Sequence, residues 1–340
     1  MPRRCARLAP VDELPVIDVS ALRHGTDVAG VAAAIDDACR TFGFFSVIGH
    51  GVPMELEQRL ERSAREFFAL GDDEKAAIAM ATGGRAWRGW FPVGGELTSG
   101  KPDAKEGVYF GTELPADDPR VLAGVPLHGA NRFPERPADL RQAVLDHLAA
   151  VAELGQAVLT GMAVGLGLGA GWFRQELTAD PLVLFRIFHY PPVLPGNEQW
   201  SVGEHTDYGL ITLLRQDDVG GLEVRGPGGW IDAPPVPDSF VVNLGDMLER
   251  MTGGRYRSTP HRVRNTTGVS RLSFPLFLDP GWDVDVRPIP GAEDLAVEEW
   301  ERWDGRSVHD WSGTYGDYLL GKVGRVFPDL GAQVLGDGGR

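Results

Sequence analysis

The chain has 340 residues, 43% of them hydrophobic, with a net charge of −15 and a pI near 5.0. That length and apolar content support a large buried core, and the acidic balance argues against a surface that neutralises nucleic-acid or lipid phosphates. Cys5 and Cys39 are the only cysteines, too few for a disulfide framework and without the Cys-x-x-Cys spacing of a zinc site. A cytoplasmic protein is expected, because MPRRCARLAPVDELP lacks the apolar region of a signal peptide and no uninterrupted apolar stretch reaches membrane length.

In chain order, LPVIDVS (residues 14–20) reads as a short strand. Val31, Ile35, Ala38 and Phe42 then recur at helical spacing, predicting a helix from about Val28 to Thr41 that ends at Gly43. GFFSVIGHGVP reads as strand then turn, and Leu56, Leu60, Ala64 and Phe67 write a second helix before Gly71. Residues 82–135 are rich in Gly and Pro and read as long loops with short strands, in which Trp87, Trp90 and Phe91 are candidates to close over a pocket. A long helix follows from Pro137 to about Leu168, with Leu140, Val144, Leu148, Val151, Leu154 and Val158 on one stripe.

After residue 180 the texture becomes short β-rich runs, VLFRIFHY, GLITLLR, GLEVR, SFVVNL, HRVR and RLSFPLFL, separated by turn clusters. Such runs indicate a pair of sheets of jelly-roll type. From about Glu298, with Trp300, Trp303, Trp311 and Tyr318, helical character returns. The expected fold is α+β with a mainly β core, a double-stranded β-helix flanked by helices. One domain over 1–340 is expected, organised as an N-terminal segment (10–125), a supporting helix (136–170), the jelly-roll core (180–282) and a C-terminal helical segment (283–340).

Eight histidines occur, and a lone histidine is more often a surface or hydrogen-bonded residue than a ligand. In GEHTDYG, His205 stands two positions from Asp207, and side chains at i and i+2 of an extended chain project together. STPHRVR supplies His261 at the start of another strand, 54 positions after Asp207. Two imidazoles and one carboxylate leave three adjacent sites of an octahedron open, the pattern of non-haem Fe(II) oxygenases, whereas a structural zinc site would want a fourth ligand.

RLSFPLFL splits by parity: Leu272, Phe274, Leu276 and Leu278 share a face that should pack between the sheets. Arg271, Ser273, Pro275 and Phe277 share the other, which should face the barrel interior. A guanidinium buried there needs an anion, either one of the chain's own acids or a ligand carboxylate. Pro275 predicts a bulge or an edge strand at that point. In VLFRIFHY, Arg186, Phe188 and Tyr190 share one face and Phe185, Ile187 and His189 the other. If Tyr190 points to the anion site, His189 points away, which favours His261 as the third ligand. Arg186 and Phe277 become candidates for the substrate wall, and Arg186 would suit an anionic substrate.

With these residues in place, the chain resembles the isopenicillin N synthase-like family of Fe(II)/2-oxoglutarate-dependent oxygenases nearly end to end. ACRTFGFFSVIGHGVP looks like the family's N-terminal segment, HTD with STPHRV like its iron triad, and RLS like its Arg-x-Ser. HTDYG, QDDVGGL and MTGG are also similar to the bacterial ethylene-forming enzyme. The resemblance implies that His205, Asp207 and His261 hold Fe(II), and that Arg271 and Ser273, assisted by Tyr190, grip the distal carboxylate of 2-oxoglutarate. Phe188 stands where the family often has the asparagine of Asn-x-Tyr.

It further implies oxidation, most simply hydroxylation, of a C–H bond of a small molecule by O2, with release of succinate and CO2. The alternatives are a 2-oxoglutarate-independent oxidase like isopenicillin N synthase, ethylene formation, a hydrolytic zinc enzyme, and a non-catalytic jelly-roll protein that binds a metal or small acid. The sequence leaves the oligomeric state open.

Overall fold

The structure, a computed structural model, describes residues 13–98, 100–193, 200–265, 267–292, 307–328 and 331–332. The N-terminal helix runs over Val28–Thr41 as its periodicity predicts, capped by the Asp27 carboxylate accepting from the Gly30 amide at 3.0 Å. It stops because Gly43, at φ 64°, turns left-handed against the Arg257 carbonyl, where a β-carbon would sit 2.2 Å from that oxygen.

The described residues form fourteen strands, in chain order: β1 Val16–Asp18, β2 Phe44–Ile48, β3 Gly89–Phe91, β4 Leu97–Thr98, β5 Lys101–Pro102, β6 Glu106–Gly111 and β7 Leu182–Tyr190 come first. They are followed by β8 Val202–His205, β9 Ile211–Gln216, β10 Leu222–Gly226, β11 Gly229–Asp232, β12 Phe240–Leu244, β13 His261–Val263 and β14 Arg271–Asp279. Eight form a major sheet in the order β1-β2-β12-β9-β14-β7-β6-β3, four form a minor sheet in the order β11-β10-β13-β8, and β4 pairs β5. The two larger sheets enclose the jelly-roll cavity, so the side chains that alternate inward along β7 and β14 meet those of β8 and β13.

The long helix spans Leu140–Gly165 and buries every residue of its predicted stripe. It packs against the Val28–Thr41 and Met54–Phe68 helices on one side and against β14 on the other. Gly155 permits this approach, since a β-carbon there would meet Leu278 at 2.7 Å and Leu213 at 3.1 Å. The apolar face of β14 therefore lies under a helix rather than between the sheets, as the sequence pattern alone had suggested. By length and composition this helix would also pass as a membrane span, but its apolar surface is spent on internal packing.

The short strands expected in the Gly-rich segment 82–135 include β3 and β6, which join the major sheet, with β6 buried along its whole length. One further expectation changes. β14 is neither an edge nor bulged at Pro275, because it lies between β9 and β7 with one continuous register: Ser273 faces Phe188 and Leu276 faces Phe185. Only the ladder toward β7 is interrupted, at Phe274 and Pro275, as a residue without an N–H requires. In the C-terminal part a helix covers Tyr315–Val326 and Trp311 precedes it, while Trp300 and Trp303 lie outside the described residues.

Candidate active site

The minor sheet brings the two histidines together. β8 ends on His205 and β13 begins on His261, the residues are antiparallel partners, and their ring centroids are 4.2 Å apart. Asp207 lies just beyond β8, in a turn held by a bridge to Gly245 and by the Asp246 amide donating to the Asp207 carbonyl at 2.8 Å. Potential ligand atoms of all three residues lie within 4.8 Å of one another. Asp207 Oδ1 is 4.0 Å from His205 Nε2 and 3.9 Å from His261 Nε2.

Each ligand's outward atom is already satisfied. His205 Nδ1 is 2.9 Å from the Gly203 carbonyl and His261 Nδ1 is 3.2 Å from the Thr259 carbonyl, contacts that need a proton on Nδ1 and so leave Nε2 with its lone pair. Asp207 Oδ2 accepts from Thr212 Oγ1 at 2.5 Å and Asn243 Nδ2 at 2.7 Å, leaving Oδ1 for the centre. Burial, aided by the neighbouring imidazole, lowers His261 to about 4, and burial also lowers His205. Burial would raise Asp207, but the two histidines and the two hydrogen bonds outweigh it and hold the carboxyl below its usual range. Two neutral imidazoles and one carboxylate are the protonation states a divalent metal requires, so these residues fit Fe(II).

Arg271, fully buried, lies on the inward face of β14. Its Nε donates to the Gly220 carbonyl at 2.5 Å and Nη2 to Gln216 Oε1 at 3.1 Å, while Nη1 is buried with no partner. None of the acids among the described residues pairs with it. The Tyr190 ring lies 4.7 Å from the guanidinium, and the Tyr190 hydroxyl is 3.3 Å from Ser273 Oγ. A buried cation with only neutral acceptors and one unused donor, beside two hydroxyls, suits a ligand carboxylate.

A cavity of about 450 Å³ joins this anion site to the triad. In the same cavity Arg186 is held between the Tyr109 and Phe277 rings, 4.3 and 4.5 Å from their centroids. The nearest carboxylate oxygen is Glu96 Oε1 at 3.6 Å, and Arg186 Nε is buried without a partner. Glu96 accepts from the Tyr109 hydroxyl at 2.6 Å and lies 3.0 Å from Lys105 Nζ, which also pairs with Asp103. Asp103, Lys105, Glu96 and Arg186 thus form a row of alternating charge. Burial would raise Glu96, but Lys105 and Arg186 pull it below the usual carboxylate range.

The comparisons with known proteins match this geometry. Residues 14–136 match the family model of the "non-haem dioxygenase in morphine synthesis N-terminal" region, and residues 181–280 match that of the "2OG-Fe(II) oxygenase superfamily". A Dictyostelium discoideum protein named as a probable iron/ascorbate oxidoreductase is 44% identical, over 96% of this chain and 98% of its own. The homoarginine-6-hydroxylase of Glycine max is 35% identical over 93% and 98% of the two chains. The chain belongs to the isopenicillin N synthase-like family of Fe(II)/2-oxoglutarate-dependent oxygenases. A full-length protein of Neurospora crassa, solved in complex with alpha-KG, superposes on this oxygenase with a TM-score of 0.76 at 26% identity, covering 93% of this chain and 98% of that one.

Within the oxygenase, His205, Asp207, His261, Arg271, Ser273, Tyr190, Arg186 and Phe277 all line the one cavity. His189 points away as the parity of β7 predicts, its Nδ1 2.8 Å from Glu106 Oε1. Trp87, Trp90 and Phe91 do not close over the cavity: all three are buried in the core, and Trp90 Nε1 donates to Glu106 Oε2 at 2.8 Å. Their segment instead contributes Glu96, Leu97, Thr98 and Lys105 to the lining, which sequence reasoning missed because no periodicity marks them. Thr212 and Asn243 were missed too, although a polar residue inside GLITLLR and another inside SFVVNL could have signalled an inward role.

Proposed function

We propose that His205, Asp207 and His261 hold Fe(II), and that Arg271, Ser273 and Tyr190 hold the distal carboxylate of 2-oxoglutarate. We further propose that the reaction is hydroxylation of a C–H bond in a small molecule that carries an anionic group. When bound, the iron and its cosubstrate supply the activation of O2, with succinate and CO2 released. The chain's own part is positioning. Gly203, Thr259, Thr212 and Asn243 fix the three ligand side chains, and Arg271 sets which end of the cosubstrate reaches them. The observation that carries the reading is the partnerless Nη1 of Arg271, buried beside Ser273 and Tyr190 in the cavity that also holds the triad.

Anaerobic addition of 2-oxoglutarate to the Fe(II) protein is expected to produce a metal-to-ligand charge-transfer band, and a titration without one would sink the assignment. Headspace analysis during turnover separates hydroxylation from ethylene formation. Arg186 and Phe277 are the proposed substrate wall. Arg186→Met is expected to raise KM for substrate about tenfold or more while 2-oxoglutarate affinity holds, as removal of a charge-assisted hydrogen bond predicts. Loss of both affinities together would mean a structural role. Two cysteines, with Cys39 a buried free thiol, support a cytoplasmic setting.

A further inference from the structure

The Tyr315–Val326 helix lies outside both segments matched by the family models, yet it reaches the active site from two directions. Leu319, Lys322, Arg325 and Val326 line the cavity. Its tyrosines make a different set of contacts, with two buried aspartates that flank the Asp207 turn. The Tyr315 hydroxyl donates to Asp279 Oδ2 at 2.5 Å, and Asp279 Oδ1 accepts from the Leu210 amide at 3.2 Å. The Tyr318 hydroxyl donates to Asp246 Oδ2 at 2.8 Å, joined by Lys322 Nζ at 3.3 Å, and the Asp246 amide donates to the Asp207 carbonyl at 2.8 Å.

The turn has little room to relax between these contacts. A β-carbon on Gly209 would lie 1.5 Å from Asp279 Oδ1, and one on Gly245 would lie 2.4 Å from the Gly209 carbonyl oxygen. Residues 207–210 are therefore gripped at both ends by groups whose far atoms are held by one helix.

We propose that Tyr315 and Tyr318 are positioning residues for the metal centre. Through Asp279 and Asp246 they hold the 207–210 turn so that Asp207 Oδ1 faces the two histidines. The C-terminal helix is thus part of the iron site without touching the iron. This rests on the reading of Asp207 as a metal ligand. Direct hydrogen-bond partners of a metal ligand commonly change metal affinity tenfold to a hundredfold; these tyrosines act one contact further out, so the lower end of that range is expected, and tyrosine-to-phenylalanine replacements remove the hydroxyls with the rings left in place.

The test uses the full chain and Co(II), whose visible d–d bands report coordination without turnover. The double variant Tyr315→Phe/Tyr318→Phe is expected to weaken Co(II) binding about tenfold and to alter the band shape. Val323→Ala serves as the control, because Val323 is a buried residue of the same helix that neither lines the cavity nor hydrogen-bonds through its side chain. It is expected to lower the melting temperature of the apoprotein while leaving Co(II) affinity within about twofold. A double variant with Co(II) affinity within twofold of the parent, or a Val323→Ala variant weakened as much as the double, overturns the proposal. If the double variant does not fold, Tyr318→Phe alone is measured against the same control, with the same two outcomes. Co(II) binding left unchanged by Asp207→Ala would instead overturn the ligand reading, and this proposal with it.

Discussion

Two sets of side chains in the cavity differ in how completely the chain satisfies their polar groups. In the triad the outward atoms of His205, Asp207 and His261 are all hydrogen-bonded, so only the inward lone pairs are left open. Elsewhere in the same cavity the Arg186 guanidinium lies between two rings, donates no hydrogen bond among the described residues and has its nearest carboxylate at 3.6 Å. Arg271 falls between these extremes, with two neutral acceptors and one open donor. The acids differ likewise: Asp207 is held below its usual range, whereas burial pushes Asp279 up to about 7 despite hydrogen bonds from Tyr315 and Leu210. A site meant for one ion can be finished in advance, while a site meant for an organic acid must keep donors in reserve.

The largest effect that would break this contrast is expected at Arg271. Truncating one partner of a buried charge pair costs about 2–5 kcal/mol, so Arg271→Ala should raise KM for 2-oxoglutarate about a hundredfold. Co(II) affinity should stay close to the parent's, and a comparable loss of metal binding would show that the anion site and the triad are not separately built. Next comes Asn243→Ala, which removes one of the two donors to Asp207 Oδ2. It should weaken metal binding about tenfold, read by Co(II) titration, with little change in 2-oxoglutarate affinity at saturating metal.

The smallest effect concerns pH. With its folded pKa raised, Asp279 keeps a proton that the unfolded chain has already released. Its contribution to stability is present in acid and is lost as pH rises through about 7. Between pH 6 and pH 7 the parent should therefore lose about 1 kcal/mol relative to Asp279→Asn in urea unfolding. Parallel pH profiles for the two proteins would show that Asp279 is ionised throughout.

What could be read from the sequence follows the same division. His205, Asp207, His261, Arg271, Ser273 and Tyr190 were legible because each stands in or beside a β-rich run whose alternation says which way a side chain faces. The same alternation placed Arg186 in the cavity and turned His189 away from it. Glu96 and Lys105 were not legible, since residues 82–135 carry no period and these side chains reach the cavity only because β6 joins the major sheet. Trp87, Trp90 and Phe91 were misjudged for the same reason, as loop composition hid a buried sheet edge. Pro275 shows the limit of a local rule: neighbours on both sides keep β14 straight, and the cost is confined to an interrupted ladder toward β7. The role of the C-terminal helix has no local mark, because Tyr315 and Tyr318 act on aspartates 36 and 72 positions away.

β14 carries Arg271 at its first residue and Asp279 at its last, so its nine residues act as a ruler. Eight steps of about 3.4 Å set roughly 27 Å between the α-carbons of Arg271 and Asp279, whose carboxyl accepts from the Leu210 amide beside the Asp207 turn. The parity of that ruler is as constrained as its length. Inserting or deleting one residue between Ser273 and Asp279 would put either Arg271 or Asp279 on the wrong face of the sheet. Substitutions along this strand can be absorbed one side chain at a time, but a change in its length cannot, so single-codon insertions and deletions here should be eliminated in any selection for activity.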